Sequence, residues 1–421
     1  MEQSHHPALP VLKSFQQAYT RAEEKYGARR ILLIFIPLSL TLFLPPPWLL
    51  FGFLLSPAYF LFRARTLGSP LPQTKVNFPI LLLLVGVVIG LWVSPARLSG
   101  VESAAKLLAS LTTFYVLLDV LQTRADVWRA ASALVLAGLA VVLLLPFSVG
   151  WSADKVFALP AFLDWTLRPP GQGTNPNIVG GMLAAILPLG LVLLVAPRRS
   201  ERIVGAIALG PFLIALLVLQ ARAAWFALLG GLAIGATLYR RWFLPIIPLL
   251  LLGLLFLNQQ LGGVEALSDT IFGKIGKPTS GTLQERVALW TQAVELIRAH
   301  PLTGIGMGAY PFVAPYAPPN SPSAPGLLAA HAHNVFLQVA LDTGIIGLAG
   351  FVGVFVMAIL STWRAYTRQR AMPLPIGILT AFSVILLHSF ADGIFWGLKT
   401  GWVLWFLFGI ACVLPDIAEQ E

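Results

Sequence analysis

Residues 176–196 read PNIVGGMLAAILPLGLVLLVA, 21 positions without a charged side chain, closed by Pro197, Arg198 and Arg199. As a helix this stretch is about 30 Å long, the thickness of a bilayer's hydrocarbon core. Its apolar residues form a continuous run rather than an alternation, which excludes a strand of an outer-membrane barrel. Runs of the same kind recur on both sides, at 31–45, 47–62, 78–94, 101–121, 127–146, 203–220, 222–239, 242–257, 334–361, 373–390 and 395–414. Pro45, Pro46 and Pro47 split the first long run in two, and a tight turn around Gln220 to Ala224 divides 203–239. The expected fold is therefore an all-α, polytopic integral membrane protein with about twelve transmembrane helices.

Composition agrees with that reading. The 421 residues are 57% hydrophobic and 11% charged, against roughly a quarter charged in a soluble domain. A soluble enzyme, a nucleic-acid-binding domain and a disordered tail are all excluded as accounts of the whole chain. The single cysteine, Cys412, stands in an apolar run and reads as a small hydrophobe. Residues 1–30 are too long and mixed for a signal-peptide head, and Leu12, Phe15 and Tyr19 fall at helical spacing, as in a cytoplasmic interfacial helix.

The formal charge of +10 is explained by topology. With the N-terminus inside, 18 of the 28 basic residues fall in cytoplasmic connections, among them Arg63, Arg65, Arg124, Arg129, Arg198, Arg199, Arg240, Arg241 and Arg368. That distribution follows the positive-inside rule and makes nucleic acid an unneeded partner. Two long loops then lie outside, 147–175 and 258–333, so the chain divides into a cytoplasmic segment 1–30, spans over 31–257, an extracytoplasmic loop 258–333, spans over 334–414 and a cytoplasmic tail 415–421. Long loops on a rigid scaffold are where function concentrates.

The larger loop holds LQERVALWTQAVELIRA at 283–299, with Leu283, Val287, Trp290, Val294 and Ile297 on one helical stripe. Thr282 and Glu285 have the spacing of a capping box, which gives Glu285 a structural task. This amphipathic helix is expected across the outer mouth of the bundle, its apolar stripe buried and Arg286 one position to the side. In PLTGIGMGAY, Gly304, Gly306 and Gly308 permit a tight, close-approaching backbone.

Three polar features lie against the grain of this sequence. Arg222 stands alone between two apolar runs, as a snorkelling interfacial arginine or a ligand-binding one. Arg286, one position off the apolar stripe of the loop helix, reads in isolation as a solvated or Glu-paired helix residue. His331 and His333 precede a long span at the expected outer mouth, as interfacial rings bonded to backbone or as a base and an anion partner. Two positions apart on a helix, the histidines would face different ways, and no cysteine or acidic cluster adjoins them, so no metal site is expected. His5, His6, His300 and His388, which is near Asp392, read as structural, and Asp119 and Asp342 as helix-end groups. No P-loop, dinucleotide fingerprint or nucleophile elbow occurs.

The run RVALWTQAVELIRAHPLTGIGMGAY followed by HAHNVFLQVALDTGIIGL resembles the signature region of the O-antigen ligase and polymerase superfamily. QARAAW resembles that family's arginine between two spans, with Ala221 where Ser or Thr is usual, and GTNPNIVGGMLAAILPL resembles its Pro-Asn start of a mid-chain span. The resemblance implies a GT-C-like membrane glycosyltransferase at the outer face of the bacterial cytoplasmic membrane. Such an enzyme transfers a glycan from an undecaprenyl-pyrophosphate carrier to a lipid or glycan acceptor hydroxyl, without metal or other cofactor. It implies Arg222 and Arg286 as pyrophosphate ligands and His333 as general base. His331, Asn334, Trp290, Tyr310 and Gln220 are the accompanying candidates for substrate contact. The alternatives are a polymerase acting on the same carrier and, from relatives described in that way, an inorganic-carbon transporter-like protein.

Overall fold

A computed structural model describes residues 50–149, 174–241, 283–313, 330–369 and 372–418, with the single positions 36 and 245. Apart from those two positions, the first of the twelve candidate spans, 31–45, and the one at 242–257 lie outside those residues, as do the N-terminal segment, the C-terminal 419–421 and most of both long loops, Thr282 among them. The rest is helical: α1 (Leu50–Leu67), α2 (Asn77–Val93), α3 (Arg97–Val120), α4 (Arg124–Ser148), α5 (Pro176–Leu193), α6 (Arg199–Leu219), α7 (Arg222–Tyr239), α8 (Leu283–Ala299), the single turn α9 (Tyr310–Val313), α10 (Val335–Arg368), α11 (Leu374–Ser389) and α12 (Gly401–Ala418). Among the described residues the β pairing is one isolated bridge, between Val149 and Thr174.

Six helices, α3 to α7 and α10, are long and apolar enough to cross a membrane, and α2, α11 and α12 are shorter apolar helices. Large apolar side chains such as Trp92, Leu98, Phe147 and Val195 point outward. That is costly in water and neutral against lipid, so the bundle is a multi-pass membrane structure. Inside, Phe114, Phe351, Phe355, Phe382, Trp405 and Phe408 meet edge-to-face or tilted in one core.

Small residues decide the closest packing. A Cβ on Gly86 of α2 would lie 2.6 Å from the Gly347 backbone of α10, so these two helices touch along their main chains. α10 is broken at Gly344 (φ 66, ψ −175), a conformation essentially closed to L residues. The segment 301–308 docks into the break: Ile345 N–H donates to Pro301 O and Ile305 N–H to Leu341 O.

One expected loop charge is instead internal. Arg63 is buried within α1, where its Nε and Nη2 donate to the Asp119 carboxylate of α3 at 2.8 and 3.0 Å and Tyr59 donates to the same group at 2.6 Å. A buried guanidinium with a bidentate carboxylate is the form in which such a charge is tolerated. The tie fixes α1 on α3, at the end of the bundle away from the histidines.

Candidate active site

The site is assembled where α10 begins. Asn334 caps the helix, its Oδ1 accepting from the N–H groups of Phe336 and Leu337 at 3.0 and 3.1 Å. Capping requires extended backbone at Asn334, and the chain enters it through His333 in the left-handed region (φ 48). Such strain in a non-glycine residue marks places where the fold over-determines the backbone. The histidines are therefore not helical, and their spacing of two brings them together: their ring centroids are 4.3 Å apart and His333 N–H donates to His331 Nδ1 at 3.2 Å. This corrects the expectation that they diverge.

The acidic partner comes from elsewhere in the chain. Asp392, just beyond α11, places Oδ1 at 3.2 Å from His333 Nδ1 and 3.7 Å from His331 Nε2, and accepts from Gly393 N–H at 2.8 Å. Burial works against the Asp392 carboxylate, but the bond to His333 and the surrounding imidazoles prevail and hold it below the usual carboxylate range. Burial pushes His331 down to about 4, the Asp392 charge opposing and His333 and Arg286 adding to the fall, so His331 is neutral near pH 7. An ionised Asp392 assigns the proton of His333 to Nδ1 and leaves Nε2 with its lone pair as the basic atom. His333 keeps 27% of its side chain exposed.

Arg286 is part of the buried face of α8, not beside it. Arg286, Leu289, Gln292 and Ala293 are buried while Val287 is exposed, so the helix is turned from the orientation its apolar stripe suggested. Trp290, on that stripe, lines an apolar groove of about 430 Å³ with Asn334, Phe336, Leu337 and Phe390. In a membrane protein an apolar stripe can face lipid while the polar side turns inward. Arg286 Nη1 donates to Ala391 O, next to Asp392, and Arg222, the first residue of α7, lies within electrostatic reach of Arg286. The structure thus brings together Arg222, Arg286, His331, His333 and Asp392 from four separate stretches.

The other candidates divide. Trp290 Nε1 donates to His333 O at 3.4 Å, so it borders the site. Asn334 has its carbonyl oxygen committed to the cap. Tyr310 is fully buried under α8, its hydroxyl bonded to Gln292 Oε1 at 3.1 Å, and burial raises its pKa. Gln220 is buried in the α6–α7 turn, in the left-handed region (φ 50). In the same turn Trp225 Nε1 donates to Leu216 O at 2.9 Å.

A buried polar chain supports the histidine segment. Ala332 N–H donates to Gln338 Oε1, and Gln338 Nε2 donates to Asp342, which also accepts from Gly308 N–H and Trp396 Nε1 at 2.8 to 3.2 Å. Asp342 is thus the junction between the 301–308 segment, α10 and the chain after α11. His331, His333 and Asp392 offer nitrogen and oxygen donors within 4.8 Å of one another, a set that could hold a divalent ion. The Arg286 guanidinium beside them disfavours a second cation there.

The fold and site define a multi-pass helical membrane protein with a histidine, carboxylate and arginine cluster at one end of the bundle. Residues 207–352 match the family described as O-antigen ligase, a match that supports the resemblance to the O-antigen ligase and polymerase superfamily. Exopolysaccharide production protein ExoQ of Rhizobium meliloti (strain 1021) is 26% identical over 151 residues, 33% of this chain and 34% of that protein. The chain therefore matches about a third of this relative's length. Arg222, Arg286, His331 and His333 fall inside the family region and Asp392 outside it.

Proposed function

We propose that this protein is a membrane glycosyltransferase that moves a glycan from an undecaprenyl-pyrophosphate carrier to an acceptor hydroxyl at the outer face of the bacterial cytoplasmic membrane. The observation that carries the reading is the convergence of His333, backed by Asp392, with Arg286 and Arg222. His333 Nε2 takes the proton of the acceptor hydroxyl as its oxygen attacks the anomeric carbon. The bond from that carbon to the carrier's pyrophosphate breaks, and the leaving group departs with the electron pair and its negative charge. Two guanidiniums suit that charge, since each can hold phosphate oxygens bidentately and the stabilisation grows as the bond breaks. In this scheme the arginines do the work of a cation and no metal takes part.

The carrier's isoprenoid tail needs an apolar path out of the site, and the groove bounded by Trp290, Phe336 and Phe390 adjoins the histidines on one side. The outer-face assignment rests on charge: Arg124, Arg198, Arg199, Arg240 and Arg368 gather at the helix ends opposite the site. Twelve spans, with 258–333 as the extracytoplasmic catalytic loop, complete the topology.

The acceptor is a lipid for a ligase and a growing glycan for a polymerase, a reading favoured by the exopolysaccharide role in the relative's name. The family match favours either of these over the transporter-like alternative. The test supplies purified protein and His333→Ala with lipid-linked glycan, with and without a separate lipid acceptor. Transfer by the wild type alone is expected, and dependence on added lipid distinguishes ligase from polymerase. Failure of folded wild-type protein to transfer to any acceptor would overturn the assignment.

A further inference from the structure

The imidazole beside the base has no task in the transfer scheme. The ring of His331 is 4.3 Å from that of His333, and its side chain is only 17% exposed. Its Nδ1 accepts the N–H of His333 at 3.2 Å. A side-chain atom that accepts the N–H two residues on closes a local turn of the kind asparagine forms. This turn lies where His333 enters the left-handed region (φ 48), and the preceding N–H, that of Ala332, is taken by Gln338 Oε1 at 2.9 Å. His331 thus acts on the main chain of the base.

The same bond fixes the proton of His331. An accepting Nδ1 carries the lone pair, so in the neutral imidazole the N–H is at Nε2. Nε2 lies 3.7 Å from Asp392 Oδ1. That is beyond hydrogen-bond length but within the attraction between an N–H dipole and a carboxylate. Asp392 Oδ1 therefore faces the Nδ1–H of His333 at 3.2 Å, the N–H of Gly393 at 2.8 Å and the Nε2–H of His331. Both ring nitrogens turned to the carboxylate carry protons, so they surround it as donors and offer no lone pair to a divalent ion. A Cβ on Gly393 would lie 3.1 Å from His331 Nδ1, so the chain after α11 also packs against this ring. The other charged or titratable groups within electrostatic reach of the three are Arg286 of α8 and His388 of α11.

Given His333 as the general base of the transfer, we propose that His331 is a positioning residue and not a substrate contact. Its Nδ1 holds the backbone of His333 and its Nε2–H steadies Asp392, so one neutral imidazole orients both halves of the base.

The experiment measures kcat and KM of glycan transfer for the full chain carrying His331→Asn or His331→Leu. Asparagine retains an acceptor able to close the turn, and leucine keeps bulk without one. Both variants should keep the wild-type KM for the lipid-linked donor and for the acceptor. His331→Leu should lose about tenfold in kcat, the effect of one buried hydrogen bond, and His331→Asn should recover most of that loss. A raised KM with unchanged kcat would make His331 a substrate contact, and equal losses in the two variants would deny the turn; either overturns the proposal. Solid-state NMR of the wild type in lipid, with isotope-labelled histidine, reads the ring without a transfer assay. The signals that vanish in His331→Asn should show a bare Nδ1 and a protonated Nε2, and the opposite tautomer overturns the proposal. Absence of transfer by folded wild type would instead remove the reading of His333 on which the proposal rests, and the NMR result keeps the two failures distinct.

Discussion

Asp392→Asn tests the base in its most specific feature, because it removes a charge while preserving shape. The Asp392 Oδ1 that faces His333 also accepts from Gly393 N–H at 2.8 Å. That backbone donor should pin the amide oxygen of the asparagine at the Oδ1 position and keep the amide nitrogen away from the imidazole. His333 then retains its proton on Nδ1, and the loss is confined to replacing a charged acceptor by a neutral one. Hydrogen bonds to charged groups contribute about 1.5–3 kcal/mol and neutral ones about 0.5–1.5 kcal/mol. The difference of about 1–1.5 kcal/mol corresponds to about a tenfold fall in transfer rate. Asp392→Ala also releases the ring's orientation and should lie further down, within the range of about 10²–10⁴ for a lost general base. The assay is the initial rate of glycan transfer from the lipid-linked donor, on protein shown to be monodisperse. Adding Asp392→Asn to His333→Ala should have no further effect, because the carboxylate acts only through the ring. Wild-type rate in Asp392→Asn, or full additivity in the double variant, would refute the coupling.

Four further outcomes are expected. Arg286→Lys keeps a charge but loses the planar fork beside Ala391 and Arg222, so transfer should fall at least about tenfold; an unchanged kcat/KM would reduce Arg286 to a point charge. Gly344→Ala would put a Cβ 2.0 Å from Leu302 O at φ 66; it should cost more than the about 1–3 kcal/mol of backbone strain alone, and an unchanged thermal midpoint would show that the break in α10 is not a docking seat. The pKa of His331 is about 4 in the folded chain and near 6.5 unfolded, so the unfolded state binds more protons between those values. Stability should be full above pH 6.5 and fall by about 3 kcal/mol as pH drops to 4, and His331→Gln should flatten that slope in thermal melts. A chelator should leave transfer intact; loss restored by a divalent ion would move the positive charge from the arginines to the donor set of His331, His333 and Asp392.

The described spans were legible because bilayer thickness imposes a length that hydropathy can measure, and Arg222 because a charge stranded between apolar runs needs a reason to be there, whereas Arg286 and His333 were singled out by the family resemblance. Asp392 was less legible. It follows α11 in SFADGIF, where a carboxylate resembles an ordinary span end, and its partner is 59 positions earlier. The signal available was its own cost: an acidic group flanked by apolar residues calls for a partner, as the lone arginines did. His388, near it in sequence, does lie within its electrostatic reach, but the ring that bonds it is that of His333.

The orientation of α8 failed for a more general reason. The rule that an amphipathic helix buries its apolar stripe assumes water on the other side. Here the exposed side includes Val287, Trp290 borders an apolar groove, and Arg286 and Gln292 turn inward with Leu289 and Ala293. The same inversion explains how the site is held. Asn334 is spent on the cap, Gln338 and Asp342 on the backbone of Ala332 and Gly308, and Tyr310 on Gln292. Residues suited to substrate are thus engaged in bonds within the protein, and those of Asn334 and Gln338 hold the backbone on either side of His333. In the proposed reaction the ligand is met by the smaller set of Arg222, Arg286 and the oriented imidazole of His333. The proposed reaction, with a leaving pyrophosphate and an incoming hydroxyl, would require little more, so that a strained, heavily braced segment would suffice where a larger array of polar contacts would be costly to bury.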